Sequence, residues 1–141
     1  MQVAIVNETE IFEQLKPLLT EVLGVPAESL RMESVLVADL GAESIDLLDL
    51  SFRIEESFQL TIEANEIERE AKKRIPSGIF EKDGFLTEEA LAEIRAFVPE
   101  LDPSKLVKGL RKSQIPSLLT VSFFVHLIAR KLEAQEKGVH G

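Results

Sequence analysis

The sequence predicts an all-α fold, a helical bundle in which a long stretch of turns and short helices precedes the last helix. Two observations point there. Apolar residues recur at the spacing of one helix face in three stretches, within residues 11–23, 45–58 and 121–132. Between the second and third lies a long interval broken by turn signals, Ile75-Pro76-Ser77-Gly78, Asp83-Gly84, Pro99, Asp102-Pro103 and Ile115-Pro116, which leave room only for short helices. With 141 residues the chain is one domain or a small domain with an elaboration, large enough to bury a real core.

Met1 to Val6 is a short apolar lead that reads equally as a frayed end or a strand. Asn7 or Thr9 is the expected cap of the first helix. Ile11, Phe12, Leu15, Leu18, Leu19, Val22 and Leu23 then form a broad apolar face opposite Glu13, Gln14 and Glu21. Pro17 lacks a backbone donor, so a kink or a late start is expected there. Gly24 ends the helix. The connection from Val25-Pro26 to Ala38 carries Leu30, Val35, Leu36 and Val37, which must lie over the core to stay dry.

The next stretch, Asp39 to Phe58, reads DLGAESIDLLDLSFRIEESF. A loop ending in Gly41 delivers Ser44 to the start of a helix that is apolar on two sides. Leu47, Leu50, Ile54 and Phe58 share the core face. Ile45, Leu48 and Phe52 lie on the other side, beside Asp46, Asp49, Glu55 and Glu56. Acids flanking a second apolar stripe make complete burial expensive, so that stripe is expected to be a docking surface.

Within the interval, Thr87 followed by Glu88 and Glu89 begins a helix through about Phe97. Asp102 capping Pro103 begins another through about Lys112. Phe80, Phe85, Leu86, Leu91, Ile94, Phe97, Leu106 and Leu110 need cover, so this interval is expected to extend the core. The last helix starts at Thr120-Val121, with Val121, Phe124, Val125, Ile128 and Leu132 on one face. Residues from Glu133 onward read as a solvated tail.

Charge narrows the function. The net charge of -9 argues against nucleic acid, whose phosphates need a basic surface. Residues 1–69 hold 4 Lys/Arg against 15 Asp/Glu, whereas residues 70–141 hold 12 against 10. The acid surrounds Ser44, a field that steers partners presenting a basic patch. The chain contains no cysteine, which excludes disulfides, thiolate metal sites and a cysteine nucleophile. No stretch approaches the roughly 20 apolar residues of a membrane span, and a cytoplasmic protein is expected.

The segment around Glu43-Ser44-Ile45 resembles the modification site of the acyl carrier proteins and related thiolation domains, whose signature is D-S-L. The resemblance extends to a first helix ending near Leu-Gly-Val, a long loop into Asp-Leu-Gly, the turn Gln59 to Glu66 into a short third helix, and a last helix beginning Thr-Val. It implies a four-helix acyl-carrier-like bundle, with core about 7–69 and 117–134, helical insertion about 70–116 between the third and last helices, and tail 135–141. It also implies that Ser44 carries 4'-phosphopantetheine from coenzyme A, and that the protein presents a thioester-linked acyl group to fatty-acid, polyketide or lipid-modifying enzymes. A phosphodiester at a helix N-terminus gains about 0.3 to 1 kcal/mol at an exposed site. Expected partners are a phosphopantetheinyl transferase and acyl-handling enzymes with basic docking patches, contacting Glu43, Ile45, Asp46, Leu48, Asp49, Phe52, Glu55 and Glu56 on a non-catalytic monomer. Glu43 stands where the family has Asp, which keeps the charge and lengthens the side chain.

Other readings compete. Ser44 as a plain N-cap explains neither the doubly apolar acidic helix nor the flanking elements. A hydrolase elbow needs glycines where Ala42 and Asp46 stand, and a positioned histidine; only His126 and His140 exist, both expected at the surface. A calcium loop centred on Gly84 would put Ile79 and Ala90 at its anchoring positions, so no metal is expected there. Lys72-Lys73-Arg74 and Arg111-Lys112 read as solvated helix ends, or less simply as cations folding the insertion over the second helix. An aminoacyl or peptidyl carrier and an unmodified helical adaptor are the alternative functions.

Overall fold

A computed structural model describes residues 7–63 and 65–138, with side chains up to residue 135. Met1 to Val6 and His140 therefore lie outside the described residues. Helix α1 runs from Glu8 to Leu23, with the Asn7 side chain accepting the amides of Thr9 and Glu10, and Gly24 left-handed at φ +69° closing it. It starts at Glu8 and continues through Pro17 as one element, so the late start is not taken; Pro17 sits on the exposed side. Helix α2 spans Ser44–Phe58, α3 Glu66–Arg74, α4 Glu88–Phe97 and α5 Val121–Gly138.

Most side chains predicted to face inward do so, but Val22 and Val35 are only half-buried and Phe85, expected to need cover, is exposed. Ile11, Leu15 and Leu19 of α1 meet Leu50, Ile54 and Phe58 of α2 in one buried cluster, with Leu47 packed at its edge. Leu30 and Leu36 of the long connection are buried in the same cluster. Val121, Phe124, Val125 and Ile128 of α5 join them, and Leu132 is half-buried.

The insertion is part of this core. Phe80, Leu86, Leu91, Ile94, Val98, Leu101, Leu106 and Ile115 are buried in the cluster that contains the bundle residues. Its presence changes α5: Phe123 and Leu127, on the side opposite the expected stripe, are buried as well. A helix covered on one side by a bundle and on the other by an insertion carries apolar residues on both of those sides.

Three expectations need correction, and one turn gains detail. Pro103 opens only a 3-10 turn, Pro103–Lys105, and no helix continues to Lys112. The carbonyls that a helix would use are taken elsewhere: Leu106 accepts from Arg95 and Leu110 from the Leu86 amide, while Gly109 is left-handed at φ +98°. Asp83-Gly84 is the tip of a β-hairpin, β1 Glu81–Lys82 with β2 Phe85–Leu86, and both tip residues have positive φ as a two-residue hairpin loop requires. The segment expected as a tail is helical to Gly138. His126 is half-buried, with Nδ1 hydrogen-bonded to Glu100 and Nε2 3.3 Å from Glu8, and it ties α5 to α1 and to the segment after α4.

The predicted helix at Thr87 is present, with the Thr87 hydroxyl accepting the Ala90 amide. Helix α3 runs to Arg74, into the segment counted with the insertion. Its basic end pairs within the helix, Lys72 with Glu68 at 2.9 Å and Arg74 with Glu70 at 3.1 Å. Arg111 stacks on Phe85, and Lys112 reaches Glu68 and Glu81. No described ion pair joins these cations to α2.

Candidate functional site

The approach to Ser44 is built by backbone hydrogen bonds. Asp39 closes a tight turn: its carboxylate accepts the Val35 amide at 2.8 Å, and its own amide donates to the Val35 carbonyl at 2.8 Å. Gly41 is left-handed at φ +75° with open space where a Cβ would stand, so conformation rather than crowding calls for glycine there. Ala42 is buried, and its amide donates to the Leu36 carbonyl at 2.9 Å. The loop is pinned to the start of α5: Leu36 donates to Leu119, Val121 to Ser34, and Ser122 to Met32.

Glu43 is the cap residue of α2, and Ser44 is the first residue of the helix. The Glu43 amide donates to the Asp46 carboxylate at 2.8 Å, which settles the entry to the helix and places an acid in its first turn. The Ser44 side chain is exposed and has no hydrogen-bond partner among the described residues. A serine that caps would have spent its hydroxyl on a backbone amide. Here the hydroxyl faces solvent at the positive end of a 15-residue helix, a fit for an attached phosphodiester.

The second stripe stands out from the surface. Ile45, Leu48 and Phe52 are 65%, 51% and 60% exposed. The acids around it differ in their commitments. Glu43 and Glu56 are exposed; Asp46 holds the helix entry; Glu55 is half-buried and accepts the Ile62 amide at 2.7 Å. Asp49 pairs with Arg53 at 3.1 Å, and Arg53 also reaches Glu21 of α1 at 2.6 Å. Those hydrogen bonds, Asp49 first and Glu21 next, raise the Arg53 pKa above its ordinary value. Arg53 is the site residue absent from the sequence expectations: a cation inside the acidic stripe, signalled only by its four-residue distance from Asp49.

Among the described residues, no cluster of His, Asp or Glu is arranged to hold a metal ion, and no helix is long and apolar enough to cross a membrane. Both ring nitrogens of His126 are engaged by Glu100 and Glu8, away from Ser44.

Comparison with known proteins meets this site. The family model for the phosphopantetheine attachment site matches residues 13–72, from α1 into α3. The acyl carrier protein of Clostridium acetobutylicum is 36% identical over 59 residues, which is 42% of this chain and 77% of that protein. That of Campylobacter fetus matches to the same extent, and that of Saccharopolyspora erythraea is 37% identical over 62 residues, 44% of this chain and 65% of that protein. The family model ends at Lys72, so it covers neither the insertion nor α5.

Proposed function

The chain belongs to the acyl carrier protein family, and on that premise we propose that Ser44 is the attachment point of its covalent 4'-phosphopantetheine group. The protein holds an acyl group as a thioester on that arm and presents it to enzymes that build or modify fatty acids, polyketides or lipids. The group, when bound, supplies a terminal thiol on a flexible arm, which a chain without cysteine does not have.

One observation carries the assignment: an exposed, unengaged serine hydroxyl at the first position of α2, beside an exposed apolar stripe rimmed with acid. The chain's own residues do three things. Glu43 and Asp46 fix the helix start that presents the hydroxyl. Ile45, Leu48 and Phe52 offer apolar contact to a transferase or an acyl-handling enzyme. The exposed acids Glu43 and Glu56 steer a basic patch toward that contact, so complexes form fast, exchange readily and weaken with salt. The role is positional, since tethering raises the effective concentration of cargo at each partner. No catalytic step is assigned to the chain itself.

The test is intact-protein mass spectrometry after incubation with coenzyme A, magnesium and a broad-specificity phosphopantetheinyl transferase. One phosphopantetheinyl addition is expected on the wild type and none on Ser44→Ala. The variant should keep its helical signal and lie within about 0.5 kcal/mol of wild-type stability, as for surface substitutions outside structural contacts. Addition that persists in Ser44→Ala would move the site, and a folded protein that no transferase modifies would favour an unmodified adaptor.

A further inference from the structure

Among the described residues, large apolar side chains remain exposed in two places. One set is Ile45, Leu48 and Phe52 on α2; the other is Ile79, Phe85 and Val107 on the insertion. The two sets differ in the sign of what surrounds them. Lys82 is the cross-strand partner of Phe85, on the outward side of the hairpin, and the Arg111 guanidinium lies over the Phe85 ring at 4.6 Å. The segment carrying Lys105, Val107, Lys108 and Arg111 runs beside the hairpin, joined to it where Leu86 donates to Leu110. The cations outnumber the acids beside them: Asp102 keeps its charge next to Lys105, Glu81 lies against Lys112, and Asp83 stands at the hairpin tip, against Lys82, Lys105, Lys108 and Arg111.

We propose that this basic, apolar face docks on the acidic, apolar α2 stripe of a second copy of the chain. Phe85 and Val107 would meet Leu48 and Phe52, with Arg111 and Lys108 opposite Glu56. The two surfaces match in kind, and both are open in the same molecule, so they do not satisfy each other within it. The contact is heterologous. Two copies close it when each inserts its insertion against the other's α2, and it otherwise propagates as short chains. The overall charge of -9 opposes approach at long range, so the complex is weak and forms where salt screens the net repulsion but not the close pairs, near the 8 Å or so of screening at about 0.15 M. Docking covers the stripe, so a copy held this way is withheld from other partners. The inference departs from the monomer expected from sequence and rests on the two exposed faces, not on the carrier chemistry.

Sedimentation velocity from micromolar to millimolar protein at physiological salt tests it. The wild type should gain mass with concentration. Arg111→Glu and Glu56→Lys should each weaken association about tenfold or more, because each sets like charges face to face. Mixing the two variants should recover association, since their reversed charges are then opposed. Lys108→Glu serves as a second reversal, at an exposed turn, should Arg111→Glu disturb the hairpin. Ser44→Ala should associate as the wild type does, which separates this result from the fate of the attachment site. A monomer throughout the range, or association indifferent to every reversal, overturns the proposal. So does a protein that stays monomeric but binds vesicles of anionic phospholipid through Arg111, which would give the face to lipid headgroups.

Discussion

Ser44 and Glu43 divide two tasks that one residue at a helix start often combines. Glu43 takes the cap position, and the serine is left one step inside the helix with nothing bonded to its hydroxyl. The sequence pattern locates the serine because the loop, the glycine and the double apolar face all converge on it. It does not separate cap from first residue, because that choice depends on a backbone angle at Glu43 rather than on residue type. His126 shows the opposite case. Its position on α5 suggests exposure, since nothing local signals a partner 26 residues earlier and another 118 earlier. Glu100 is almost wholly buried, and its second carboxylate oxygen has no described partner. Replacing His126 by Ala removes the one bond that Glu100 keeps, and should destabilise the protein by about 1 to 3 kcal/mol in urea unfolding. Glu100→Met added to that change should recover part of the loss, because no buried acid is then left without a partner.

At the scale of elements, legibility follows periodicity. α1, α2, α4 and α5 carry apolar residues at helical spacing and are each readable, α2 with both of its faces. The hairpin is not, since two-residue strands offer too few positions for an alternating pattern; only its Asp-Gly tip leaves a mark. Gly84 sits there at φ +88°, with an added Cβ 3.5 Å from the Arg111 guanidinium. Gly84→Ala should therefore cost about 1 to 2 kcal/mol by thermal unfolding, mostly through the left-handed backbone. The segment 103–112 fails as a helix because tertiary bonds claim its carbonyls, a competition invisible in local sequence. α3 meets the insertion through Glu68, whose carboxyl is held below its ordinary range by Lys72 first, and by Lys112. A lowered carboxyl pKa adds stability that is complete above the unfolded-state value, about 4.3, and is lost as pH falls through the lower folded-state value. The stability gap between wild type and Glu68→Gln should thus be open at neutral pH and close under acid, read from urea midpoints across that range.

For the molecule as a whole, the shared core decides how the insertion behaves. Leu91 and Ile94 of α4 are buried in the cluster that holds Leu15 and Ile54, and α5 is covered from both sides. The insertion is therefore expected to melt with the bundle rather than before it. Leu91→Ala should lower stability by about 2 to 5 kcal/mol, with calorimetric and van't Hoff enthalpies remaining equal. Two separate transitions would show instead that the insertion is an appendage. The seam between the two parts also supplies its own probe. The chain has no tryptophan or tyrosine, so optical spectroscopy sees its tertiary structure poorly. The amides of Leu36, Val121 and Ser122, however, are hydrogen-bonded only across the line where the approach to Ser44 meets the exit of the insertion. Their proton signals are natural indicators of that seam: slow to exchange while it is closed, quick once it parts, and able to register a disturbance that begins on either side.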